Sequence, residues 1–146
     1  MDRESARGIE WDCAQLVHRF YGLLDAKRYD DLVKLFSRDG VWVRLGKPVP
    51  RDQLLKTMGE RESWVTAHLV TNLQVRVIDA DRAETEQYIT LYRHEGWAGK
   101  DKAPPVTLPL AVLHHRDRMV REDGIWKIQH KSSRQIMIRE QTHAER

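Results

Sequence analysis

Two side chains set the chemistry open to this chain. Asp25 lies near the end of the first helical segment, and His68 enters a long strand within Thr66-Ala67-His68-Leu69-Val70-Thr71-Asn72. A carboxylate that fixes one imidazole nitrogen selects the ring tautomer and leaves the other nitrogen as a general base. Such a pair removes a proton, and the charge that then develops on the substrate needs a donor nearby. Tyr21 and Tyr92 can serve as donors, and Trp42 and Trp64 suit the wall of an apolar cavity.

The elements that carry these residues follow from periodicity. Ile9, Cys13, Leu16, Val17, Phe20, Leu23 and Leu24 recur at helical spacing, which predicts one amphipathic helix over about residues 9–27. Asp25 falls off its apolar stripe, on a flank shared with Ala14, His18 and Tyr21 that holds no Lys, Arg or Glu. That row can line a cavity, and His18 could compete with His68 for the carboxylate. A short helical stretch follows over 29–36. Ser37 to Gly40 ends it, Val41 to Leu45 forms a short strand, and a third helix fits Arg51 to Met58 between Pro50 and Gly59.

From Val65 the period changes to two. Strands are predicted from Val65, over about 83–94, over 106–121 and over 125–138, the last two joined at Glu122-Asp123-Gly124. Strict alternation puts His68 on the face opposite Leu73, Val75 and Val77. A cavity-facing His68 therefore requires a bulge or a strong twist around Thr71-Asn72. Residues 96–105, with Gly96, Gly99, Pro104 and Pro105, make the longest loop, a lid or a connector.

Helices followed by consecutive antiparallel strands spell an α+β domain in which a strongly curved, mostly antiparallel sheet wraps the N-terminal helices and leaves a cone-shaped pocket. At 146 residues the chain is expected to hold one domain over 9–138, a flexible N-terminus over 1–8 and a C-terminal tail over 139–146. With one cysteine, Cys13, there is no internal disulfide to form. The absence of an apolar N-terminal run or a 20-residue apolar stretch predicts a cytoplasmic protein with no membrane span. Lys and Arg number 25 against 22 Asp and Glu, mixed along the chain, which argues against nucleic acid. His115, Asp117 and His130 allow a metal site to be drawn, but no compact ligand motif is present, so neither metal nor cofactor is expected. Glycine-rich phosphate loops, nucleophile elbows and Cys/His pairs are missing too, which argues against nucleotide, acyl-serine and thiol chemistry.

Three stretches in this order resemble SnoaL-like proteins of the nuclear transport factor 2 (NTF2-like) superfamily. They are Phe20-Tyr21-Gly22-Leu23-Leu24-Asp25 with Leu35 to Trp42, the His68 stretch, and the hairpin from Asp117 through Asp123-Gly124-Ile125-Trp126-Lys127. The resemblance implies an NTF2-like cone over nearly the whole chain. Within that superfamily, Asp25 and His68 match the dyad of scytalone dehydratase and hexachlorocyclohexane dehydrochlorinase. It also implies a substrate-side role for Lys131, which falls where the dehydrochlorinase pattern carries an arginine, and for His115, at a position often filled by tyrosine. The dehydratase pattern has a tyrosine just before the aspartate, where this chain has Leu24. The implied activity is a cofactor-independent lyase or isomerase on a small apolar or cyclic substrate. Polyketide-cyclase-like chemistry, or a non-catalytic subunit like the small subunits of ring-hydroxylating dioxygenases, are the alternatives. An open sheet face further implies a homodimer or homotrimer.

Overall fold

The computed structural model describes residues 1–99 and 101–140. Helix α1 (Arg3–Asp25) starts well before its apolar periodicity, because Asp2 caps it: the Asp2 carboxylate accepts the Ser5 amide at 2.8 Å. The segment expected to be flexible over 1–8 is thus largely helical. Its stripe of Ile9, Cys13, Leu16, Val17, Phe20 and Leu24 is buried. Burial and the charge of Asp12 push the Cys13 thiol up to about 12, so it stays protonated inside the core.

After a short α2 (Tyr29–Val33) come β1 (Phe36–Arg44), β2 (Lys47–Pro50), two 3-10 segments (Arg51–Thr57 and Gly59–Arg61), and the long strands β3 (Trp64–Val77), β4 (Arg82–Glu95), β5 (Ala111–Glu122) and β6 (Ile125–Ile138). They form one six-stranded sheet in the order β2-β1-β6-β5-β4-β3, antiparallel except where β1 runs parallel to β6. The α+β reading holds, with α1 packed across the inner face of the sheet. None of the helices described is long and apolar enough to cross a membrane.

Three boundaries differ from the periodicity. Residues 37–40 bulge inside β1 instead of ending the element, since its pairing with β6 shifts between Phe36 and Val41. Gly40 is required there, because a Cβ would lie 2.9 Å from the Phe36 Cβ and from the Ser37 carbonyl oxygen. The segment 51–57 is 3-10 rather than α. Strand β5 begins at Ala111 rather than Val106, because Pro109 interrupts the run and lacks the N–H that a ladder needs. Of the expected tail over 139–146, residues 141–146 lie outside the described residues, as does Lys100 of the long loop.

The bulge that His68 demands is present. The β3–β4 register shifts between Thr71 and Gln74, with Asn72 in the left-handed region at φ 51°. Before it, Thr66, His68 and Val70 take the inner face; after it, Leu73, Val75 and Val77 do. One extra residue therefore reverses the parity of the strand and lets both halves face the core. Replacing Asn72 by valine, which resists this φ, is expected to lower unfolding free energy by about 1–2 kcal/mol, whereas Asn72→Gly is tolerated; urea unfolding checks both.

Candidate active site

Asp25 is the last residue of α1, where the helix dipole disfavours a negative charge. Three donors from β3 compensate. Thr66 Oγ1 donates to Asp25 Oδ1 at 2.8 Å, the His68 amide donates to Oδ2 at 2.9 Å, and His68 Nδ1 lies 2.5 Å from Oδ1. Burial works against the charged form, yet the bond and charge of His68, its amide and Thr66 outweigh it and hold the carboxyl below its usual range. A carboxyl held low when folded adds stability above its unfolded pKa of about 3.9, and this is lost as pH falls through the folded value. Urea titrations at pH 7 and pH 3 should therefore show a smaller loss for Asp25→Asn than for the wild type.

Because the carboxylate can only accept, His68 Nδ1 carries the proton and Nε2 keeps its lone pair. The ring is 7% exposed and stacks on Tyr21, with centroids 5.4 Å apart. It forms part of the wall of a cavity of about 170 Å³, which Tyr21, Trp42, Trp64 and His115 also line. The Tyr21 hydroxyl meets His115 Nδ1 at 3.0 Å. Burial, with the charge of Lys131, holds His115 well below the usual imidazole range, so the ring stays neutral. Burial likewise raises the Tyr21 phenol, which stays protonated. With Tyr21 donating to Nδ1, the buried His115 Nε2 carries an N–H that has no partner among the described residues.

Of the residues singled out in the sequence, Asp25 and His68 meet, and Tyr21, Trp42 and His115 reach the cavity. Lys131 and Tyr92 do not. Lys131 is fully buried beneath Tyr21: its amine bonds Asp117 at 2.9 Å and lies over the Phe20 and Tyr21 rings, at 4.4 and 4.8 Å from their centroids. Gln87 Nε2 donates to the same Asp117 oxygen. Burial lowers the Lys131 pKa against the pull of Asp117. Tyr92 pairs with Ala67 and shares its outward face, leaving Leu91 and Arg93 to line the cavity. Tyr92 instead borders an apolar groove of about 340 Å³ with Val65, Leu69 and residues 104–107, which contains no paired acid and base. His18 is exposed, and among the described residues no three metal-capable side chains converge.

Sequence reasoning missed the basic part of the wall. Arg44, Arg61 and Arg93 all line the cavity, and the guanidiniums of Arg61 and Arg93 lie over the Trp64 ring at 5.3 and 4.3 Å from its centroid. The one signal was local: Arg61 lies three residues before Trp64, in a turn too short to show a period.

The profile of the SnoaL-like domain matches residues 9–132. The chain belongs to the SnoaL-like family. Solved structures place this SnoaL-like chain in the NTF2-like, cystatin-like fold. It is similar to a type 2 hexachlorocyclohexane dehydrochlorinase, with a TM-score of 0.77 and 14% identity over 97% of this chain and 95% of that one. It is also similar to a protein provisionally assigned as a scytalone dehydratase from Novosphingobium aromaticivorans, with a TM-score of 0.75 and 18% identity over 93% and 89% of the two chains. An NTF2-like protein with a cystatin-like fold from the same organism matches with a TM-score of 0.66 and 16% identity over 86% and 80%. A search of curated proteins returned no match.

Proposed function

We propose that this SnoaL-like protein is a cofactor-independent lyase or isomerase in which His68 removes a carbon-bound proton and Asp25 orients the ring. The observation that carries this reading is the 2.5 Å contact between His68 Nδ1 and Asp25 on the wall of an open cavity. The likeness to a dehydrochlorinase and to a provisionally assigned dehydratase supports the same class of chemistry.

In an elimination, His68 Nε2 takes the proton, the C–H pair becomes the new π bond, and the leaving group departs with its electrons. A halide leaves as the anion. A hydroxyl leaves as water, taking the proton that the imidazolium returns. Asp25 stabilises the imidazolium throughout. Tyr21, whose hydroxyl is spent on His115 Nδ1, orients that ring, and the His115 Nε2–H, without a partner among the described residues, is the donor left for developing negative charge. In an isomerisation the same base returns the proton at a second carbon.

The test is a screen of small halogenated and β-hydroxy compounds for unsaturated or rearranged products, run with wild type and with His68→Ala. Products formed by the wild type alone are expected. Equal conversion by both proteins would remove His68 from the chemistry.

A further inference from the structure

Arg61 is the best-buried guanidinium on the cavity wall, only 7% exposed. Its Nη2 donates to Thr66 Oγ1 at 3.3 Å, its plane packs near the face of Trp64, and its Nε is buried with no partner among the described residues. The two other arginines of the wall are each neutralised: Arg44 by Glu60 at 3.1 Å and Arg93 by Glu95 at 2.8 Å. Arg61 makes no ion pair with any described carboxylate. The nearest one reached through hydrogen bonds is Asp25, one hydroxyl away beyond Thr66, and its oxygens are taken by Thr66 and by His68, so no carboxylate touches the Arg61 guanidinium among the described residues.

A buried guanidinium with no carboxylate in direct contact is left under-satisfied, because one hydrogen bond and an aromatic face offset only part of its lost hydration. An anion entering the cavity would complete it. We infer that the cavity is built for a small carboxylate-bearing substrate, with Arg61 holding the carboxylate. The planar fork of a guanidinium matches a carboxylate, and one guanidinium free of a direct ion pair matches a monoanion better than a phosphate dianion. The cavity falls below the ~300–1,000 Å³ typical of ligand pockets, which keeps the substrate small. The substrate expected from resemblance was apolar; this chain adds a charged anchor. The chain of contacts Arg61–Thr66–Asp25–His68 fixes the anchor relative to the base, so a bound carboxylate sets which carbon faces His68 Nε2. That last point rests on the proposed dyad, whereas the anion site stands on Arg61 alone.

The experiment compares benzoate with benzamide and crotonate with crotonamide by calorimetry and ligand-observed NMR. With the wild type, each acid is expected to bind about tenfold or more tightly than its amide. Arg61→Gln erases that preference by weakening the acids and leaving the amides unchanged, and Arg61→Lys retains part of it. Should Arg61→Gln fail to fold, the wild-type preference and its partial retention in Arg61→Lys decide the matter. Equal affinity for acid and amide, no binding of either acid, or an undiminished preference in Arg61→Gln would overturn the inference. His68→Ala separates the two readings, because it should keep the acid preference while losing proton abstraction. Turnover surviving in His68→Ala with the preference intact removes the dyad and leaves the anion site; a lost preference with His68-dependent turnover does the reverse.

Discussion

Replacing His68 by alanine is expected to lower kcat/KM by about 10²–10⁴ on any substrate the wild type turns over, the range that a positioned general base contributes. The loss should fall mainly on kcat, because the ring acts on the transition state more than on binding. Asp25→Asn is expected to lose activity on the same scale although it removes no atom that touches substrate. An amide lacks the charge that stabilises the imidazolium and can present its NH₂ to Nδ1, which would turn the ring to the wrong tautomer. The two residues work as a unit, so the double variant should lose little more than the worse single one. Steady-state kinetics on the four proteins check this. An Asp25→Asn protein with full activity, or losses that multiply, would show that the contact does not serve the chemistry.

The second large effect concerns stability. Lys131→Met should destabilise the fold by about 3–5 kcal/mol, because it leaves Asp117 charged and buried with only Gln87 to bond it. Lys131 and Asp117 both have fully buried side chains, and Asp117 Oδ1 already lacks a partner. For a chain of this size each kcal/mol moves the melting temperature by roughly 2–4 °C, so a drop of about 6–20 °C is expected. Lys131→Met with Asp117→Leu removes both charges and should recover most of the loss. Urea denaturation of the single and double variants tests the pairing. A double variant as unstable as the single one would mean that packing over Phe20 and Tyr21, and not charge, is what Lys131 supplies.

That pair also shows where reading a sequence stops. Helix α1, the long strands and the tight Asp123-Gly124 turn were legible because each rests on a local period or on a positive φ, here 52° and 78°. Alternation also pointed to an irregularity at Thr71-Asn72, since His68 and Leu73 could share a face only through a bulge or a strong twist, and the register shift there is the bulge. Lys131 was misplaced because its neutralising partner is fixed by register: Asp117 sits directly opposite it on the neighbouring strand. Tyr92 missed the cavity by one residue of parity, the margin that sends Leu91 and Arg93 inward. Arg61 had no pattern to betray it. Its place depends on a three-residue 3-10 turn packing over Trp64, which is tertiary information.

The most direct test of the proposed chemistry is a single-turnover comparison of a substrate from the screen with its twin carrying deuterium at the carbon expected to lose the proton. Slower turnover of the deuterated compound by the wild type, with no detectable reaction of either compound in His68→Ala, is the predicted result. Equal rates for the two compounds, with turnover persisting in His68→Ala, would contradict proton abstraction by the Asp25–His68 pair.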